Sequence, residues 1–223
     1  IYTGLMMGPG VNNYLSNLPE AASQLPSSIF ENDEKRWKER FSDISSMKGS
    51  ENPYALHSEL AEAMISNVLI VRENDKLQST LDVIEDIESR WKDIECVDTQ
   101  DWSNPVPSFV NQLWNMIQLS KIITMGALKR DEFRGSHYKP EFDLNQPDDF
   151  DPADYLEYEE QKANGGVHKD QFAPSHVDYM ERFEKNNEDW LKSSIATYNN
   201  GKPAVNFESV DTSLIAPRPR KYD

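Results

Sequence analysis

Few side chains in this sequence are of a type and spacing that could do chemistry: four histidines, one cysteine, one Arg-Gly turn and one basic tail. His168 and His176 flank an acidic, polar stretch and read as solvated. His57 sits early in a helical pattern and reads as a surface or capping residue. His137 stands apart, because it follows Arg134-Gly135-Ser136 directly after a long amphipathic segment. Two readings are open there. Arg134 and His137 reach into a neighbouring domain across a tight Gly135 turn, or they lock the free carbonyls at a helix C-terminus. Cys96, the sole cysteine, leaves no internal disulfide and no Cys-based metal cluster, and beside Ile94 and Val97 it reads as a small packed residue. Residues 141–160 hold nine acidic side chains and no basic one. Such a run could bind a hard cation, but it lacks the spacing and glycine of a calcium loop, so a solvated loop and no metal site are expected. No G-x-G-x-x-G follows a strand, no phosphate loop is present, and no Ser, His and Asp set has a recognisable context.

Positioning these groups falls to helices. Ser28 with Glu31 resembles a capping box, and Phe30, Trp37, Phe41 and Ile44 then form an apolar stripe. Gly49 and Asn52-Pro53 end that helix. A second is expected from Pro53 to Val71 on Leu56, Leu60, Met64, Val68 and Val71. A third runs from Asn74 to Ile94 on Leu77, Leu81, Ile84, Trp91 and Ile94. After Pro105 and Pro107, with Ser108 as a candidate cap, a fourth carries Val110, Leu113, Trp114, Ile117, Thr124 and Leu128. Long amphipathic helices with short connections favour an up-and-down bundle. Before it, residues 1–22 contain Gly4 and Gly8 at helical spacing, while Gly8-Pro9-Gly10 reads as a helix stop. Beyond residue 132 the chain turns polar. Residues 146–187 have high charge and little periodicity and read as a mobile insertion. Ile195–Tyr198 and Ala204–Phe207 flank Asn199-Asn200-Gly201, a hairpin signal. The expected fold is mainly α: a spectrin-like three- to four-helix bundle over 23–131, then a small irregular region, 132–223, with a short β-hairpin.

With 23 basic and 39 acidic side chains the formal charge is −16 over 223 residues, which argues against a nucleic-acid partner and against broad contact with anionic lipid. No run approaches the roughly 20 apolar residues of a membrane span. No signal peptide is visible, and the start at Ile1 is expected to mark processing or a piece of a longer protein.

Several motifs, in order, resemble the C-terminal part of the flavoprotein subunit of succinate dehydrogenase and fumarate reductase. They are Asn52-Pro53-Tyr54-Ala55-Leu56-His57, Val71-Arg72-Glu73-Asn74-Asp75-Lys76-Leu77, Asn111-Gln112-Leu113-Trp114 and Ile122-Ile123-Thr124-Met125-Gly126-Ala127-Leu128. The most specific is Asp131-Glu132-Phe133-Arg134-Gly135-Ser136-His137-Tyr138-Lys139-Pro140-Glu141-Phe142, where the family reads Glu-Ser-Arg-Gly-Ala-His-Tyr; Phe133 and Ser136 depart from it, while Glu132, Arg134, Gly135 and His137 match. Trp190–Tyr198, Val210–Ile215 and the terminal Pro-Arg-x-Arg-x-Tyr are also similar.

The resemblance implies a subunit that carries FAD and oxidises succinate to fumarate, or the reverse, by hydride transfer. Its electrons would pass to an iron–sulfur subunit, a haem b membrane-anchor subunit and a quinone, on the cytoplasmic face of a bacterial inner membrane. It implies that residues 1–22 are the tail of the FAD-binding domain and that the catalytic residues lie before Ile1. Arg134, Gly135 and His137 would lie at a domain interface, with Arg220 and Tyr222 near the cofactor. The alternative is a free-standing acidic helical adaptor without catalysis.

Overall fold

The computed structural model describes residues 2–98, 100, 102–199 and 202–221. Seven α-helices and one two-stranded sheet follow in the order α1 (Tyr2–Ser16), α2 (Ser27–Ser45), α3 (Pro53–Asn67), α4 (Asn74–Arg90), α5 (Val106–Lys129), α6 (Pro152–Ala163), α7 (Pro174–Trp190), β1 (Lys192–Asn199) and β2 (Lys202–Ser209). The chain is mainly helical and carries the expected bundle and hairpin.

The bundle is α2–α5. Its interior is made by Ile44, Leu56, Leu60, Ile84, Ile87, Val110, Leu113 and Ile117, closed at one end by Trp91, Ile94 and Cys96. Leu56, Leu60, Ile84, Trp91, Ile94, Val110, Leu113 and Ile117 come from the second, third and fourth predicted stripes, Ile44 comes from the first, Ile87 and Cys96 belong to none, and Val71 of the second stripe is exposed. Each side chain of this size contributes about 1.5–3 kcal/mol when buried. Trp91 is anchored as well as buried, because its indole Nε1–H donates to the Val110 carbonyl at 3.0 Å. Asn52 caps α3 by accepting from the Tyr54 and Ala55 amides, with Pro53 in the first turn where no N–H is needed.

Several expectations change, the Ser108 cap among them: Ser108 lies inside α5, which starts at Val106 without a side-chain cap. The stop at Gly8-Pro9-Gly10 does not occur: α1 runs through it with Pro9 inside. This segment is exposed, so water can satisfy the carbonyl that Pro9 leaves without a donor. The stripe of α2 is buried only at Ile44; Phe30, Trp37 and Phe41 are exposed, because α2 reaches the bundle at its C-terminal end. The capping box does not form, since α2 starts at Ser27 after Pro26 without a side-chain cap. Finally, where a mobile polar insertion was expected over 146–187, α6 and α7 pack around Phe150, Tyr155, Tyr158, Phe172, Val177, Tyr179 and Met180. Charge counting hid this small core because it is largely aromatic, and rings bury much area per residue. Asp151 caps α6 through the Ala153 amide, and Pro152 opens its first turn.

β1 and β2 pair antiparallel from Lys192↔Ser209 to Asn199↔Lys202 and lie on α5. The two central turn residues, Asn200 and Gly201, lie outside the described residues. No helix among the described residues is long and apolar enough to cross a membrane.

Candidate functional site

The segment just past α5 is where the sequence places its most specific motif, and there the chain gathers strands, helices and buried charge. Arg134 and His137 exchange backbone hydrogen bonds in both directions at 3.1 Å, closing a two-residue turn on Gly135-Ser136. Gly135 has φ +59°, a left-handed conformation that a side chain would disfavour. The turn thereby aims Arg134 and His137 back at the body of the protein.

Glu132, fully buried, is the hub. It accepts from Arg130, from Arg134 Nε at 2.8 Å and from Asn186 Nδ2 at 3.3 Å. Arg134 also donates to Asn187 Oδ1 at 2.9 Å, which ties the turn to the end of α7. Arg130 donates to the Trp190 carbonyl at 3.0 Å, to the Lys192 carbonyl and to Ser194 Oγ, and its guanidinium lies 5.2 Å from the centre of the Phe207 ring. One carboxylate thus neutralises two guanidinium groups that between them hold α5, α7 and the hairpin together. Lys139, only 1% exposed, is satisfied by Asp131 Oδ1 at 2.9 Å, Asn74 Oδ1 at 2.7 Å and the Leu128 carbonyl at 3.1 Å. A buried ammonium persists only with such a full set of acceptors.

His137 links this knot to the loop between α3 and α4. Its Nε2–H donates to the Arg130 carbonyl at the end of α5, 2.8 Å away, so Nδ1 is left as the acceptor for Arg72 Nη1 at 2.6 Å. Burial, joined by the charges of Arg72 and Lys139, holds its pKa below the ordinary histidine value and keeps the ring neutral. The Arg72 amide donates to the Tyr138 carbonyl at 2.9 Å, so two motifs 65 residues apart in sequence meet here. Arg72, Arg130, His137 and Ser194 line one end of a cleft of about 330 Å³ whose walls include Ile122, Ile123, Ala127 and Val205.

Sequence reasoning singled out Arg134, Gly135 and His137, and all three lie in this knot. It gave no role to Arg72, Arg130 or Lys139. Arg72 and Lys139 stand in or beside quoted motifs, which was the available signal. Arg130 follows the last helical residue and had none. Arg220 is far less engaged: it is exposed, between a buried Pro219 and the chain end, with no ion-pair partner among the described residues. Tyr222 lies outside the described residues. His176, read as solvated, is buried in the small second core, on the Phe150 ring at 5.4 Å, while His168 is exposed. Cys96 is buried, and burial pushes its thiol pKa up. Among the described residues no three His, Cys, Asp or Glu side chains are grouped to hold a metal ion.

The comparisons with known proteins bear on this same segment. A family model described as fumarate reductase flavoprotein C-term matches residues 57–222. The succinate dehydrogenase flavoprotein subunit of Bacillus subtilis is 38% identical across the whole of this chain, which spans 31% of that protein. The 8-methylmenaquinol:fumarate reductase flavoprotein subunit of Wolinella succinogenes is 26% identical over 60% of this chain and 21% of its own length. Among solved structures, an Escherichia coli quinol fumarate reductase superposes with a TM-score of 0.63 at 17% identity, over 88% of this chain and 27% of that one, and shows the fold alone. The Mycobacterium smegmatis Sdh1 complex in its apo form matches with a TM-score of 0.51 at 26% identity, over 60% of this chain and 22% of that one. The chain therefore belongs to the family of succinate dehydrogenase and fumarate reductase flavoprotein subunits, and corresponds to their C-terminal part.

Proposed function

We propose that this chain is the C-terminal third of a flavoprotein subunit that interconverts succinate and fumarate, and that its own task is structural: to hold its subunit together around the flavin-binding part. The supporting observation is the family match over residues 57–222 combined with 38% identity along the full chain to a succinate dehydrogenase flavoprotein subunit. In that reading FAD supplies the hydride acceptor or donor. Electrons then pass to an iron–sulfur subunit and, through a haem b membrane anchor, to a quinone, with the subunit peripheral on the cytoplasmic face of a bacterial inner membrane.

The described residues do not by themselves build a flavin cradle. Among the described residues no glycine-rich turn leads from a strand into a helix, and the cleft beside Arg72 offers cations and apolar walls. FAD and the catalytic groups would be held by residues outside this chain, and Arg220, exposed and unpaired by an acid among the described residues, would add one cation at the edge of that site. Tyr222 would stand beside it. Residues 1–22 would continue the flavin-binding domain, 23–131 form the bundle domain and 132–223 close the subunit. Arg134, Gly135 and His137 would set the angle at which these parts meet.

The experiment is to express the full-length gene product with its neighbouring genes, then measure bound flavin, dye-linked succinate oxidation and co-purifying subunits. Bound flavin and turnover are expected. A product with neither, beginning at this bundle, would instead be the acidic helical adaptor.

A further inference from the structure

Among the described residues Arg72 is a cation without an anion. Its Nε donates to the Val68 carbonyl at 2.7 Å and its Nη1 to His137 Nδ1 at 2.6 Å, both neutral acceptors. The chain carries 39 acidic side chains, yet none lies at ion-pair distance from Arg72 among the described residues. Several other partly buried cations differ, although Arg40, held by Asn111 Oδ1, also lacks an acid at ion-pair distance among the described residues. Arg90 meets Glu51, Glu59 and Asp86; Arg130 and Arg134 share Glu132; Lys139 has Asp131. Burial also pulls the Arg72 guanidinium below its ordinary pKa, the direction expected where no counter-charge offsets the loss of water.

The two anchors fix the guanidinium plane and leave Nη2 without a hydrogen-bond partner among the described residues. Arg72 lines the same cleft as Ser194, whose Oγ already accepts two hydrogen bonds from Arg130 at 3.3 and 3.1 Å. The hydroxyl proton of Ser194 is therefore left to donate elsewhere. Ile122, Ile123, Ala127 and Val205 supply apolar walls. We infer that this cleft is a receptor for a carboxylate on a short apolar stem, bound by Arg72 Nη2 and the Ser194 hydroxyl, with His137 as the positioning residue that holds Arg72 in place. A guanidinium fork suits a carboxylate geometrically, and a partly desolvated one binds it more strongly than an exposed lysine would. The carboxylate comes either from a free short-chain acid or from an Asp or Glu side chain presented by another part of the intact subunit or its complex.

The test reads Arg72 directly and does not depend on turnover. The intact flavoprotein is treated with phenylglyoxal, which labels accessible guanidinium groups, and the Arg72 peptide is quantified by mass spectrometry. This is done alone, with butyrate, and with chloride at equal ionic strength. A severalfold slowing by butyrate but not by chloride identifies a free acid as the occupant. Slow labelling without butyrate, with an Asp or Glu carboxylate seen on Nη2 in a high-resolution structure of the intact flavoprotein, identifies a protein side chain. Fast labelling that butyrate leaves unchanged, or slow labelling with no carboxylate on Nη2, overturns the proposal. The protein labelled is unmutated, so a folding defect cannot imitate either result.

Discussion

Glu132 concentrates more dependence on one side chain than any other residue of the knot. It is fully buried and accepts from Arg130, Arg134 and Asn186, so its removal leaves two cations facing each other without a counter-charge. Removing one partner of a buried pair typically costs about 3–5 kcal/mol. Glu132→Ala is expected to lose stability on that scale in a denaturant melt, and more than Arg134→Ala, because Arg134 is only half-buried. Equal losses in the two variants would show that Glu132 serves Arg134 alone. His176 offers a second residue-scale prediction. Its Nδ1 is 2.9 Å from Asp154 Oδ2, while Nε2 lies 3.2 Å from Asp149 Oδ1 without the alignment of a hydrogen bond. Burial lowers its pKa, but the two carboxylates outweigh that and raise it above the ordinary value. A raised folded-state pKa means the stabilisation is fully present below the unfolded value of about 6.5 and is lost as pH rises through the folded one. Hydrogen exchange in α6 and α7 should therefore quicken, beyond the intrinsic rate change, as pH rises above about 6.5, and His176→Gln should remove that excess.

The loop between α2 and α3 shows how tightly the elements are joined. Gly49 donates its amide to the Ile94 carbonyl at 3.1 Å, and the Ser50 and Glu51 amides both donate to the Asp93 carbonyl at 2.8 Å. A Cβ on Gly49 would stand 1.9 Å from that Asp93 oxygen, which is backbone and cannot swing aside. Gly49→Ala is expected to separate this loop from residues 93–96 and to cost on the order of 1–3 kcal/mol, read as a lowered melting temperature. An unchanged melt would mean that the loop contributes nothing to the bundle. Helix periodicity made α3, α4 and α5 legible in advance, because their stripes at Leu56, Ile84 and Leu113 face one interior and the 3.6-residue repeat is all that such packing requires. The same rule misread α2, since Phe30 and Trp37 keep the spacing without having a neighbour to bury them. It also missed α6 and α7, where Tyr155, Tyr158, Phe172 and Tyr179 build a core among acidic residues. At the site, local motif reading found Arg134, Gly135 and His137. Arg72 was invisible as their partner because its position depends on how α3, α5 and the turn converge, a distance of 65 residues along the chain.

For the whole molecule, the basic tail is where an acidic chain treats its own end as a separate charge. Pro219 is buried, so the tail returns to the body, while Arg218 and Arg220 stay exposed on either side of it. Arg220 is left facing outward. A guanidinium presented in this way stabilises negative charge, and more so once a neighbouring domain excludes water. If the intact subunit binds FAD against this end, deleting residues 217–223 from the full-length protein should lower the flavin that co-purifies severalfold, and Arg220→Gln alone should lower it by less. The melting temperature of the bundle should be unchanged in both, since neither variant touches its core. Full flavin content in the deletion would remove any cofactor role for Arg220 and leave the tail as a solvated terminus. A loss in the deletion with none in Arg220→Gln would place the effect in the rest of the tail, where Pro219 is buried, and not in the guanidinium.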